Sequence, residues 1–152
     1  MKRPAGGSCQ CGNVRYEITG EPLATYACHC RDCQKLSTSA FSVTMVLHRS
    51  GFKLLSGDLK SWQRPAASGG VAMCWFCPDC GNRIFHENPE MPDFIRLKPG
   101  TLDDTSVLEP QAHLWTCREQ QWLTRFDSLP KFEKQPDIAA AMGAIARGES
   151  PF

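Results

Sequence analysis

The chain has 152 residues and a formal net charge of +1, a size that fits one domain with a single core over residues 1–152. Hydrophobic and charged fractions of 41% and 22% are ordinary, and the longest basic stretch is Lys2-Arg3, which speaks against a nucleic-acid or membrane partner. No apolar run approaches the ~18 residues that cross a bilayer, and residues 1–10 place no apolar stretch after their two basic residues, so no signal peptide is expected.

In chain order the predicted elements are mostly strands. Val14 to Ile18 alternates and is stopped by Gly20 and Pro22. Leu23 to His29 follows, then a short helical turn over Gln34 to Ser37, then a strand rich in β-branched residues from Ala40 to Leu47. Phe52 to Leu55 and Leu59 to Gln63 flank Ser56-Gly57-Asp58, which reads as a hairpin turn. Val71 to Phe76, Arg83 to His86, Phe94 to Lys98 and Gln111 to Thr116 complete the strands. Near the end, Asp137 caps a helix to Arg147 with Ile138, Ala141, Met142 and Ile145 at spacings of three and four, and Gly148 stops it. The expected class is mainly β with small sheets and a short C-terminal helix.

Seven of the nine cysteines fall into three clusters: Cys9-x-Cys11, Cys28-x-Cys30-x-x-Cys33 and Cys77-x-x-Cys80. Nine cysteines without an export signal point to a reducing, cytoplasmic setting in which thiols remain free for metals rather than disulfides. Four thiolates close a tetrahedral zinc site and three leave one position open for chemistry. Cys9 and Cys11 with Cys77 and Cys80 then make a structural site, each hook followed by a glycine, of which Gly81 can take positive φ. Gly81 is expected to bring its amide toward the second sulfur of its hook. Cys28, Cys30 and Cys33 make the open site. His29 is its possible fourth ligand, although neighbours on an extended strand alternate and turn it away. A plain zinc ribbon of Cys30, Cys33, Cys77 and Cys80 is a competing arrangement that leaves three cysteines idle. A thioredoxin-like use of Cys77-Pro78-Asp79-Cys80 would need a helix opening at the motif, where strand is expected instead. Cys74 and Cys117 read as ordinary small side chains.

Gly7-Ser8-Cys9-x-Cys11-Gly12-x-Val14-x-Tyr16, Cys28-His29-Cys30-x-x-Cys33 and Cys77-x-x-Cys80-Gly81, in that order, resemble the glutathione-dependent formaldehyde-activating family. Gly100 to Asp104, His113-Leu114-Trp115, Trp122 and Leu129 to Phe132 extend the resemblance across about residues 6–136. The resemblance implies a β-tent of small stacked antiparallel sheets. It implies one structural zinc on Cys9, Cys11, Cys77 and Cys80, and a second zinc on Cys28, Cys30 and Cys33. Where the family often carries a basic pair and a glycine-containing turn, this chain has Gln34 to Ser39.

The activity so implied is of the carbon–sulfur lyase class. Its partners would be a small thiol such as glutathione and an aldehyde such as formaldehyde, and Cys28, Cys30 and Cys33 would be the catalytic set. Three thiolates on Zn²⁺ suit sulfur chemistry better than water activation, with Arg31 and Lys35 as candidate counter-charges. A non-catalytic zinc-binding β domain that takes a thiol, metal or protein partner is the alternative. Zinc deaminases are set aside, because their His/Cys-x-Glu and P-C-x-x-C order is absent.

Overall fold

The computed structural model describes residues 1–66 and 69–151. The chain groups into two compact units, Met1–Gln120 and Gln121–Phe152. Among the described residues no helix is long and apolar enough to cross a membrane.

Among the described residues the first unit holds ten strands: β1 (Ala5–Ser8), β2 (Arg15–Ile18), β3 (Ala24–Cys28), β4 (Ser42–His48), β5 (Phe52–Ser56), β6 (Lys60–Pro65), β7 (Val71–Phe76), β8 (Arg83–Glu87), β9 (Phe94–Leu97) and β10 (Ala112–Leu114). A three-stranded sheet runs β1-β2-β5 and a seven-stranded sheet runs β10-β3-β4-β9-β8-β7-β6. All pairings are antiparallel except that of β10 with β3, which is parallel. A helix, α1 (Arg31–Ser37), follows β3 directly.

Two-residue periodicity drives the packing. On β2, Tyr16 and Ile18 are buried while Arg15 is exposed. They meet Met45 and Leu47 of β4, Ile84 and Phe85 of β8, and Ile95 and Leu97 of β9 in one core shared by the two sheets. Tyr16 stacks on Phe52 with centroids 5.2 Å apart. Its hydroxyl lies 2.7 Å from Thr101 Oγ1, whose own proton goes to the Lys98 carbonyl, so Tyr16 donates. Burial pushes the Tyr16 phenol up to about 12, so it remains a donor at physiological pH.

Two expectations are corrected. Ser56-Gly57-Asp58 does not close a hairpin, because β5 pairs with β2 in one sheet and β6 with β7 in the other. The reason is local. Phe52 packs into the core opposite Ile18, and the chain then passes so close to Asn13 that a Cβ on Gly57 would lie 2.5 Å from its carbonyl oxygen. The segment therefore crosses between sheets. β1, with sequence AGGS, has no alternation and was not foreseen. It is defined by close approach, since a Cβ on Gly7 would sit 2.3 Å from the Tyr16 ring and 2.7 Å from the Thr101 carbonyl.

In the second unit a 3-10 helix spans Gln121–Ser128, and α2 spans Ile138–Ala146 with Asp137 Oδ1 accepting from the Ala140 amide. α2 matches the expected C-terminal helix. Ala141 is buried, whereas Ile138, Met142 and Ile145 are exposed.

Gly7→Ala is expected to lower stability by about 2–3 kcal/mol through forced displacement of Tyr16. Gly100→Ala, which meets nothing within 4 Å, should change it little. Urea midpoints of the two variants check this.

Candidate functional site

The turn after β1 and the turn after β7 bring Cys9, Cys11, Cys77 and Cys80 together, their sulfurs all within 4.8 Å of one another. Cys9 and Cys11 are 3.4 Å apart and Cys11 and Cys77 3.8 Å. Four sulfurs each ~2.3 Å from a tetrahedral ion would be separated by about 3.8 Å, so the set fits a metal. Both turns share a design. Gly12 (φ +79°) donates to the Cys9 carbonyl, and Gly81 (φ +72°) to the Cys77 carbonyl. Gly81 therefore spends its amide on a carbonyl, and the amides of Asn82 and Cys11 are what face the Cys80 sulfur, pulling its thiol down to about 6. The Val14 amide lies 3.2 Å from the Cys9 sulfur. Gln10 N donates to Asn82 Oδ1 at 3.1 Å, and Asn13 bonds Asp79, locking the two turns side by side.

The second cluster lies at the join of β3 and α1. Cys28 ends β3, Cys30 is the N-cap of α1 and Cys33 sits in its first turn, with all three sulfurs within 4.8 Å of one another. Cys33 N approaches Cys30 Sγ at 3.4 Å. Among the described residues no His, Cys, Asp or Glu atom joins these three as a fourth. His29 is fully buried and turned elsewhere, its Nε2 lying 2.9 Å from His113 Nδ1. The ribbon arrangement is ruled out, because Cys30 and Cys33 lie in a different group from Cys77 and Cys80. The β7–β8 turn carrying Cys77 and Cys80 opens no helix. Cys74 is buried on β7, and Cys117 is exposed.

The three sulfurs line a cavity of about 170 Å³. Its cations are Arg64 of β6, Arg96 of β9 and Lys98, which follows β9 directly. Lys98 Nζ donates to Thr44 Oγ1 at 3.0 Å, and Arg64 pairs with Asp32 at 2.7 Å. Arg31 and Lys35, the counter-charges expected from sequence, are exposed instead. Arg96 and Lys98 were missed, although the signal was present: Ile95 and Leu97 face the core, so residues 96 and 98 must share the opposite face.

Burial pushes the Cys28 and Cys33 thiols up, with Lys98 countering it at Cys33. Burial also draws the Lys98 ammonium down to about 8, against the pull of Cys33 and Cys28. His86, also on the cavity, is drawn down to about 2 by burial and by the nearby charges of Lys98, Arg83, Arg64 and Arg96. It is neutral at physiological pH. Its Nε2 accepts from Arg83 Nη1 at 2.9 Å, which leaves the ring proton on Nδ1.

A family model for the glutathione-dependent formaldehyde-activating enzyme matches residues 4–118. The chain belongs to this family. Its fold is also similar to that of a Rhodobacter sphaeroides protein of known crystal structure, at 22% identity and a TM-score of 0.55, covering 71% of this chain and 98% of that one. The mainly β architecture with a short C-terminal helix agrees with the family assignment. The match ends at Arg118, so it takes in both cysteine clusters and the cationic cavity.

Cys80→Ser is expected to cost the chain one equivalent of bound metal and to lower its melting temperature sharply, as metal analysis and calorimetry would record. A second expectation concerns His86, whose folded value lies below the unfolded ~6.5. Below pH 6.5 the unfolded chain binds a proton that the folded chain refuses, so stability falls as pH drops. The loss for this one group approaches about 2 kcal/mol at pH 5. His86→Gln should therefore show a shallower decline than wild type in denaturation curves between pH 7 and 5.

Proposed function

We propose that this protein is a zinc-dependent enzyme of the carbon–sulfur lyase type, which joins a small thiol to an aldehyde and reverses the reaction. Glutathione and formaldehyde, the pair in the family's name, are the first candidates. The observation that carries the reading is a set of three thiols, with no fourth ligand among the described residues, on the wall of a cavity lined with cations. The four-cysteine group takes the structural zinc, making two zinc ions per chain, and the thiol-rich chain works in the cytoplasm.

Bound zinc at Cys28, Cys30 and Cys33 would supply a Lewis acid that keeps a thiol ionised at neutral pH. The residues around it do the rest. Burial of Cys28 and Cys33 opposes their ionisation, and Lys98 offsets that cost at Cys33. Arg64, Arg96 and Lys98 favour a thiol that carries carboxylates and hold it against the three-cysteine wall. In the forward direction the substrate thiol releases its proton to solvent and its sulfur forms a bond to the aldehyde carbon. The carbonyl π pair moves to oxygen, and that oxygen takes a proton to give the hydroxymethyl thioether. Lys98, as an ammonium, is placed to stabilise the oxygen while charge develops on it. Neutral His86 adds no further positive charge to the cavity.

Zinc content and calorimetric glutathione binding test the reading. Wild type should hold two zinc ions and bind the thiol. Cys30→Ser should retain one zinc, retain the fold and lose thiol binding. Arg96→Gln should retain both ions and bind glutathione about tenfold more weakly, as expected for one lost charge-assisted contact. A wild type that holds a single zinc and ignores added thiols would favour a non-catalytic binding domain.

A further inference from the structure

We propose that His29, His113 and Glu119 form a further metal site, distinct from both cysteine clusters, that takes a divalent first-row transition-metal ion. Their ligand atoms lie within 4.8 Å of one another, and no cysteine belongs to the group. Two imidazoles and a carboxylate make a borderline-hard donor set, unlike the all-sulfur clusters.

The pair of rings is the core of the argument. His29 Nε2 and His113 Nδ1 are 2.9 Å apart, with the rings nearly parallel at 21°. With centroids 5.2 Å apart the two nitrogens face each other head-on as a hydrogen-bonded pair, so the exposed His113 ring would swing aside for both nitrogens to converge on an ion about 2.05 Å from each. His29 is fully buried, and its Nε2 gives up solvation for the contact with His113.

The third ligand is held in place. Gln34 Nε2 donates to the carbonyls of both His29 and Arg118, at 2.7 and 2.9 Å. Its Oε1 accepts from Gln120 Nε2 at 3.0 Å. Glu119 is thus bracketed by two residues tied to the same glutamine that grips His29. Among the described residues its carboxylate has no cation partner. The route into this loop is strained, since Trp115 adopts φ 60°, ψ 42°, a left-handed conformation unusual for a bulky side chain. It redirects the chain from β10 so that residues 116–119 return toward His29. Such strain collects where a geometry is being held for use. His113 and Glu119 are exposed, so the remaining coordination positions face solvent.

Cobalt(II) is the probe. Protein with its thiol clusters filled with zinc is titrated with Co²⁺, while visible absorbance and bound metal are followed. Wild type should take up one Co²⁺ per chain with d–d bands and no new sulfur-to-cobalt charge transfer. Glu119→Gln, a conservative change at an exposed position, should weaken that uptake at least tenfold while retaining zinc and glutathione binding. His113→Asn should weaken it further, with circular dichroism confirming the fold. Equal Co²⁺ uptake by wild type and Glu119→Gln would overturn the proposal, as would charge-transfer absorbance, which places the ion on thiols. The site stands apart from the thiol–aldehyde reading, since a chain that ignores glutathione yet takes the extra Co²⁺ would defeat only that reading.

Discussion

The two sheets of the first unit are joined at one end by four sulfurs from two turns. Cys11 and Cys77 are 66 positions apart in sequence and 3.8 Å apart in space. An ion held by such a set contributes on the order of 10 kcal/mol, comparable with the whole net stability of an ordinary domain. An ion there would tie β1 and β2 of one sheet to β7 and β8 of the other, beside the core that holds Tyr16, Phe52 and Phe85. β9, the neighbour of β8, leads into Lys98 of the cavity at the second cluster.

Charge explains the difference between the clusters. In the four-cysteine group Cys80 is surrounded by backbone amides, which stabilise a thiolate without any side-chain cation. At the three-cysteine wall, burial works against ionisation of Cys28 and Cys33, and the compensation comes from the Cys30 amide at Cys28 and from Lys98 at Cys33. A site that draws on a side-chain cation can share it with an incoming anion, whereas one held by amides alone cannot.

Local patterns made much of this legible. β2 emerged from alternation, β4 from its β-branched residues, and α2 from its Asp137 cap and three-four spacing. The cysteine spacings identified the two groups that the fold brings together. What stayed hidden depended on partners far along the chain. β1 exists because two glycines can lie against Tyr16 and Thr101, a contact no window of sequence contains. The turn at Gly57 looked like a hairpin because turn chemistry does not say which sheet the next strand will join. Thr38 lies in the turn where the family often has a glycine, and it takes a left-handed conformation, with φ 50° at the end of α1. The counter-charges were sought beside the cysteines in sequence, whereas they arrive from β6 and β9, across the sheet.

The parallel pairing of β10 with β3 has a consequence for how the molecule is made. His29 and His113 are 84 positions apart, and the strand that flanks β3 on that side is the last one synthesised. At 5–20 residues per second the ribosome needs about 4–17 seconds to deliver it. During that interval β3 has one bare edge and the sulfurs of Cys28, Cys30 and Cys33 lie open on a nascent chain. The cell must keep those thiols reduced, or charged with metal, before the fold can shelter them.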